Sequence, residues 1–243
     1  MIKACLNGNR SRAEHAAIPI TAGELAREAA AAVAAGAGAL HVHPRGADGR
    51  ETLDGEACAA AIEAVRAACP GVPLGLSTGV WIASGAERER LVESWSLIPD
   101  FVSVNLAEPG AAELGRLCLD RGIAIEAGLA GLDDVERLRR SGLAASMCRI
   151  LIEVEPPQPE EAAALAAAID DALEGVAPEA IRRLHHGAGL ATWRVLEAAA
   201  ARGRDIRIGF EDTLWLPDGA VARDNGELVA AAVALVRRAG RAS

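Results

Sequence analysis

The feature that most constrains the fold is a recurring pair, in which a short apolar strand precedes an amphipathic helix rich in Ala, Leu, Glu and Arg. Eight such pairs fit the 243 residues at a period of about 30 residues. The units share little sequence similarity, so the period indicates architecture rather than a solenoid. The sequence predicts an α/β fold, a (β/α)8 TIM barrel forming a single domain over residues 1–243. Strands are predicted at 3–6, 39–43, 74–77, 101–105, 124–126, 148–152, 183–185 and 206–210, and helices near 21–35, 53–69, 87–95, 111–121, 132–141, 160–174, 190–202 and 224–238.

Composition excludes several classes of partner. The formal net charge of −9 disfavours binding to duplex DNA or anionic membranes, and 2% aromatic residues leaves few platforms for stacking bases. No apolar stretch is long enough to span a bilayer, and the first residues lack an apolar leader. Five cysteines without a C-x-x-C pair are typical of reduced thiols. We therefore expect a cytoplasmic protein with no nucleic-acid or membrane partner.

Strand parity places polar side chains at one end of the barrel. Alternate strand residues face opposite sides, so Leu40 and Val42 face the helices while Ala39, His41 and His43 face inward. In other strands too, the inward residues become polar toward the carboxyl end, where barrel enzymes place their active sites. These polar ends are Asn7, His43, Ser77, Asn105, Glu126, Glu153 and Glu211.

The sharpest local motif is His41-Val42-His43 in the second predicted strand. Two histidines at i and i+2 present both imidazoles on one face, within reach of one metal ion. Imidazole suits Zn²⁺, and catalytic zinc has three protein ligands and one open position. Parity and position make Glu211 the best candidate for the third ligand. The alternative is a pair of histidines bonded to backbone in a polar barrel mouth.

Glu211 and Asp212 follow Arg207 at the last predicted strand. Adjacent carboxylates on a strand point in different directions, so one can ligate a metal while Asp212 acts as a base. Arg207 could orient Asp212 or hold a substrate carboxylate, and an ordinary ion pair is the alternative. Ser77 and Thr78 offer hydroxyl donors to a substrate oxygen, or form a simple turn.

Other polar residues remain open to two interpretations. Asn7 and Asn105 could contact substrate or anchor loops. Glu126 faces inward and needs a partner, which Arg149 or a substrate could supply.

Two further segments are equally open. The His185-His186-Gly187 segment could supply a fourth metal ligand or a phosphate-binding turn. Arg10 lies in the long first loop, which is either a solvated charged loop or a lid that sets specificity.

A set of motifs, taken together and in order, resembles the β-keto acid cleavage enzymes from residue 2 to about residue 235. The resemblance implies a zinc-dependent (β/α)8 barrel, usually a homo-oligomer such as a dimer or tetramer. Its reaction would convert a β-keto acid and acetyl-CoA into acetoacetate and the remaining acyl-CoA. The motifs are Cys5–Gly8, Ile18–Thr21, Ala35–Ala37, His41–Arg45, Asp48–Arg50, Ser77–Gly79 and Arg207–Asp212.

Carried over by motif, His41, His43 and Glu211 would bind Zn²⁺ and Asp212 would be the general base. Arg207 and Ser77 would support Asp212 and the substrate's carboxylate end, and Asn105 falls where the family places a substrate contact after the fourth strand. The first loop departs from the pattern, since Asn9-Arg10-Ser11-Arg12 stands where an acidic residue holds a substrate amino group. This change favours a neutral or anionic substrate side chain, with Arg10 among the substrate-binding residues.

Two other hypotheses compete with this one. A metal-dependent barrel hydrolase of the amidohydrolase type also uses an H-x-H strand, but on its first strand and with a Lys or further His ligands at mid-barrel. Here the motif is on the second strand, and the only lysine is Lys3. A non-catalytic barrel that binds metal or CoA is the third hypothesis, which the intact set of Ser77, Arg207, Glu211 and Asp212 argues against.

Overall fold

A computed structural model describes residues 1–156 and 158–240 and confirms the predicted (β/α)8 barrel. Pro157 and residues 241–243 of the predicted domain lie outside the described residues. The strands are β1 (Ile2–Cys5), β2 (Ala39–Val42), β3 (Leu74–Ser77), β4 (Phe101–Asn105), β5 (Ala124–Leu129), β6 (Arg149–Val154), β7 (Arg182–Gly187) and β8 (Asp205–Ile208). The α-helices are α1 (Ala22–Ala35), α2 (Gly55–Ala68), α3 (Gly85–Glu93), α4 (Ala111–Asp120), α5 (Leu132–Ser141), α6 (Pro159–Ala172), α7 (Thr192–Ala201) and α8 (Asn225–Ala239).

Each strand pairs in parallel with the next, and β8 closes the barrel on β1. The closing register sets Ile2 opposite Ile206 and Lys3 opposite Arg207. All carboxyl ends therefore meet at one rim, which is why side chains distant in sequence converge there.

The helices begin and pack as their sequences dictate. Thr21 caps α1 in a reciprocal capping box with Glu24, and the Asp224 side chain accepts from the Glu227 amide at the start of α8. Helix α1 buries Leu25, Ala29 and Ala32. Small side chains on these faces let the helices approach closely around the aromatic-poor core.

The end of β8 differs from the prediction of a strand over 206–210. The ladder stops at Ile208, and the chain turns because the Asp212 and Thr213 amides donate to the Gly209 carbonyl at 2.9 and 3.1 Å. Glu211 and Asp212 therefore lie on a turn rather than on a strand. The parity argument that sent their carboxylates in different directions is wrong here, and both reach the same arginine.

The structure also bears on two expectations from composition, which concern membrane-spanning segments and reduced cysteines. Within the described part of the chain, no helix combines the length and apolarity that a bilayer crossing requires. All five cysteines are free, as expected, but Cys148 is exposed while the other four are buried.

Away from the inside of the barrel, Asp170 on helix α6 forms ion pairs with several arginine side chains. Its carboxylate lies 2.8 Å from Arg183, 3.2 Å from Arg202 and 2.8 Å from Arg204. The imidazole of His185 lies 3.7 Å from the same carboxylate and faces away from the barrel mouth. Burial, reinforced by these arginines, lowers the pKa of His185 to about 4 despite the opposing effect of Asp170.

We expect this histidine to make the protein less stable as the pH falls from 6.5 to 4. In that window the unfolded chain protonates His185 near its ordinary pKa of 6.5 while the folded chain leaves it neutral, so protons favour unfolding. The dependence reaches about 1.4 kcal/mol per pH unit at most. Urea unfolding at several pH values should show a shallower dependence in His185→Gln, and identical slopes would contradict this assignment.

Candidate active site

The three predicted metal ligands come together at the carboxyl end of the barrel. His41 Nε2 lies 3.1 Å from His43 Nε2, and Glu211 Oε2 lies 3.3 Å from the His43 nitrogen and 4.0 Å from the His41 nitrogen. The ligand atoms of His41, His43 and Glu211, here called the three-ligand cluster, all lie within 4.8 Å of one another. Among the described residues, this is the group of His, Cys, Asp and Glu side chains close enough together to hold a metal ion.

Local structure explains how these side chains reach one point. His41 is inward on β2 and His43 directly follows the strand, so parity brings both imidazoles to the same side. Asn7 fixes the backbone beyond β2, because its amide donates to the His43 carbonyl at 2.8 Å and accepts from the His43 amide at 2.9 Å. Its nitrogen also lies 3.2 Å from the Pro19 carbonyl. Asn7 is therefore fully buried and holds the backbone of His43 in place.

Glu211 reaches the histidines across the backbone of Gly8. Gly8 has a φ of +52°, and a Cβ there would lie 2.4 Å from the Glu211 Cγ. A side chain at this position would strain the backbone and push the carboxylate away from the histidines. Gly8 of the Cys5–Gly8 motif therefore leaves the space that the Glu211 side chain occupies.

The electrostatics of the cluster suit a cation. Burial lowers the pKa of His41 well below its usual range. Burial also opposes charge on His43, but Glu211 and Glu51 outweigh it and raise its pKa to about 9. Glu211 Oε2 is buried and has no hydrogen-bond partner in the described structure. Two imidazoles and an unpartnered carboxylate oxygen aimed at one point fit a zinc ion.

Arg207 links the cluster to Asp212. Its guanidinium lies 2.8 and 3.0 Å from Asp212 Oδ1 and 2.5 Å from Glu211 Oε1. Burial disfavours its charge, but these two carboxylates outweigh that effect and raise the pKa of Arg207 well above its ordinary value. The arginine holds both carboxylates in place, one facing the histidines and one facing the cavity.

His186 lies on the other side of Asp212. Its Nδ1 is 3.3 Å from Asp212 Oδ1, and its Nε2 is 2.9 Å from Glu153 Oε2. His185 lies outside the barrel against Asp170, and neither histidine belongs to the three-ligand cluster. The structure shows His186 in polar contact with Asp212 and Glu153, which neither of the two alternatives from the sequence included.

These groups surround an inner cavity of about 180 Å³. Ser77 at the end of β3 and Asn105 at the end of β4 also line it, and Asn105 donates to Glu108 at 3.2 Å. Thr78 does not line it, because its hydroxyl donates to the Ser103 carbonyl at 2.7 Å. The lining residues are Asn9, His41, His43, Ser77, Gly79, Trp81, Ser103, Asn105, Glu153, Glu155, His186, Ala188, Arg207, Glu211 and Asp212.

Glu126 lies deeper in the barrel and outside that lining. It pairs with Lys3, with Arg149 at 2.6 Å and with the Ser103 hydroxyl at 3.0 Å. Burial opposes its ionisation, but the charges of Lys3 and Arg149 lower the pKa of Glu126 far below its usual range. Of the two partners that the sequence left open, Arg149 is the one found. The only lysine is engaged here and is fully buried.

We expect Glu126→Gln to destabilise the fold by about 3–5 kcal/mol, because it leaves Lys3 and Arg149 buried without an anion. Urea unfolding measures the loss. Glu136→Gln, at an exposed carboxylate on α5 paired with Arg139, is the matched control and should change little. An unchanged unfolding free energy together with a raised KM would instead assign Glu126 to the substrate.

Arg10 lies in a second, outer cavity of about 750 Å³ that shares Asn9 and Trp81 with the inner one. Its guanidinium pairs with Glu14 at 3.0 Å, while its Nε is buried without a partner in the described structure. Arg10 is thus set apart from the three-ligand cluster. The outer cavity is lined by Asn9, Arg10, Ser11, Arg12, Ile20, Arg45, Gly49, Arg50, Glu51, Trp81 and Ile82.

Sequence reasoning missed Glu51, which contacts His43, and Trp81, which donates to Glu51. Glu51 Oε1 lies 2.5 Å from His43 Nδ1. The chain returns to β2 through a small hairpin in which Arg45 bridges Glu51 in antiparallel fashion. An Asp48-Gly49 pair is the usual signal for such a turn and could have indicated this return. No comparable signal precedes Trp81.

Comparisons with known proteins identify the family of this chain. Residues 1–243 match the family model described as beta-keto acid cleavage enzyme. The 3-keto-5-aminohexanoate cleavage enzyme of Fusobacterium nucleatum is 29% identical over 258 residues, covering 99% of this chain and 92% of that protein. The enzyme of the same name from Acetoanaerobium sticklandii is 25% identical, covering 99% and 93%.

Among solved structures, the ternary complex of ObcA with a C4-CoA adduct and oxalate superposes with a TM-score of 0.73 at 17% identity. The match covers 93% of this chain, which spans 64% of the ObcA chain. A binary complex of ObcA with oxaloacetate gives a TM-score of 0.71 at 19% identity. At these identities the likeness concerns the fold. Because the family model spans the whole sequence, the chain belongs to the β-keto acid cleavage enzyme family.

Proposed function

We propose that this protein is a zinc-dependent enzyme that converts a β-keto acid and acetyl-CoA into acetoacetate and the CoA ester of the remaining acyl chain. The observation that carries the proposal is the position of Asp212, held by Arg207 beside the cavity that the three-ligand cluster lines. Family membership supports the cleavage of a β-keto acid.

His41, His43 and Glu211 are the residues that would hold the metal. When bound, zinc would supply Lewis-acid polarisation of the keto oxygen. Three protein ligands leave a position open for that oxygen.

Asp212 serves as the general base at C2 of the keto acid, the carbon between the keto and carboxylate groups. Its carboxylate removes a proton from C2, which then bonds to the acetyl carbon of acetyl-CoA as the CoA thiolate leaves. The thiolate adds to C3, the bond between C2 and C3 breaks, and a proton returns to C2. The atoms balance as acetoacetate plus a new acyl-CoA.

The other lining residues position the substrate. Arg207 keeps Asp212 oriented, because it bonds both carboxylate oxygens within 3.4 Å. Ser77 and Asn105 face the cavity from β3 and β4, where they would donate to the carboxylate end of the keto acid. Thr78 and Asn7, engaged with backbone, support this wall and the His43 backbone.

The outer cavity would take the larger part of the reactants. Arg10 lines it, and its unpartnered Nε suits a neutral or anionic substrate side chain. The ObcA complexes with oxaloacetate and a C4-CoA adduct support a keto acid and a CoA thioester as ligand classes. The assembly proposed is a homo-oligomer, a dimer or tetramer, which light scattering of the purified protein would test.

A substrate-panel assay tests the proposal. Purified protein loaded with zinc is mixed with acetyl-CoA and β-keto acids bearing cationic, neutral or anionic side chains, and acetoacetate is measured. We expect acetoacetate from at least one neutral or anionic member. Its absence from every member would overturn the proposal, and CoA-independent hydrolysis of an ester or amide would favour the hydrolase alternative.

A further inference from the structure

Glu51 connects one ligand of the cluster to the cavity mouth. Its Oε1 lies 2.5 Å from His43 Nδ1. The indole nitrogen of Trp81 donates to both Glu51 oxygens, at 3.2 and 3.1 Å. A continuous chain of hydrogen bonds therefore runs from His43 through a largely buried carboxylate to an indole that is 55% exposed.

The two histidines of the cluster are not equivalent. His41 Nδ1 is buried and has no hydrogen-bond partner in the described structure. His43 Nδ1 faces the Glu51 carboxylate, which accepts a hydrogen bond from a proton held on that nitrogen. With the proton fixed on Nδ1, Nε2 is the nitrogen that would bind the metal, beside His41 and Glu211. A carboxylate in this position also makes the imidazole a stronger metal ligand.

Trp81 is held where it can restrain Glu51. It lines both cavities, and its ring packs over Gly79 so closely that a Cβ there would lie 2.3 Å from the ring. A donor that bonds both carboxylate oxygens limits rotation of the carboxylate about its last bond. Glu51 is thereby kept facing His43 rather than turning toward Arg45, its partner in the antiparallel bridge.

We infer that Glu51 and Trp81 are positioning residues that set zinc affinity, Glu51 by orienting His43 and Trp81 by restraining Glu51. The inference rests on the zinc site of the proposed function. Loss of such an outer partner of a ligating histidine weakens metal binding by about 10- to 100-fold. Loss of the indole hydrogen bond, which acts one step further out, should weaken it by about 2- to 10-fold.

Zinc titration against a chelating dye tests this with the purified full chain. The variants are Glu51→Gln, which keeps the side-chain shape, and Trp81→Phe, which keeps a ring without the donor. Glu63→Gln on the outer face of α2 and Trp215→Phe, at another exposed tryptophan, are the matched controls. We expect affinity to fall in the order wild type, Trp81→Phe, Glu51→Gln, with both controls like wild type and urea unfolding of all zinc-free forms similar.

Tryptophan fluorescence gives a second readout that is independent of turnover. Zinc should change the emission of wild type and Trp215→Phe, and this change should vanish in Trp81→Phe because Trp81 is the indole joined to the site. Wild-type zinc affinity in Glu51→Gln would overturn the inference while leaving the zinc enzyme intact. A wild-type protein that binds no zinc would overturn the proposed zinc site and this inference with it.

Discussion

Replacing Asp212 with asparagine is expected to lower turnover by about 10²- to 10⁴-fold while bound zinc stays stoichiometric. The amide keeps the size of the side chain and can still accept from Arg207, but it cannot take a proton from C2. Because Asp212 lies outside the three-ligand cluster, we expect the proposed metal ligands to remain in place. Acetoacetate formation and elemental analysis of the same sample measure the two quantities.

The matched control is Asp120→Asn, at an exposed carboxylate ending α4 far from the cavity. It should retain wild-type turnover. An Asp212→Asn variant that keeps more than a tenth of wild-type turnover would remove the general-base assignment. A non-catalytic barrel predicts no turnover in wild type and variant alike.

Replacing His41 with alanine is expected to abolish stoichiometric zinc binding and turnover together. Catalytic zinc relies on three protein ligands, and Glu211 and His43 alone would leave two of its four coordination positions to water. The barrel should stay folded, because His41 Nδ1 makes no hydrogen bond in the described structure whose loss would cost stability. Elemental analysis, with thermal unfolding of zinc-free protein, measures both.

His15→Ala in the first loop serves as control, since His15 packs on the Phe210 ring rather than in the cluster. It should retain zinc. Stoichiometric zinc in His41→Ala would contradict the ligand assignment. Unfolding of the zinc-free variant well below wild type would instead give His41 a structural role.

Much of the fold follows from local patterns in the sequence. Apolar periodicity gives the eight units, and two-residue alternation in β2 puts His41 and His43 on one face, since both are properties of a single segment. Helix caps such as Thr21 are equally local.

The rest of the site depends on contacts between distant segments. Lys3 and Glu126, 123 residues apart, meet only because the barrel closes in one register, so the sequence could not distinguish an ion pair from a substrate contact. Asn7 likewise becomes a backbone clamp through its partner 36 residues away. The turn after Ile208 brings Glu211 and Asp212 to one arginine, an arrangement that strand parity does not describe.

An isotope experiment tests the central claim most directly. Zinc-loaded protein is given acetyl-CoA labelled with ¹³C in its acetyl group and an unlabelled β-keto acid that the panel identifies. We predict label in C3 and C4 of acetoacetate and none in the new acyl-CoA, because the acetyl carbon bonds to C2 of the keto acid. Labelled free acetate without labelled acetoacetate would contradict acyl exchange.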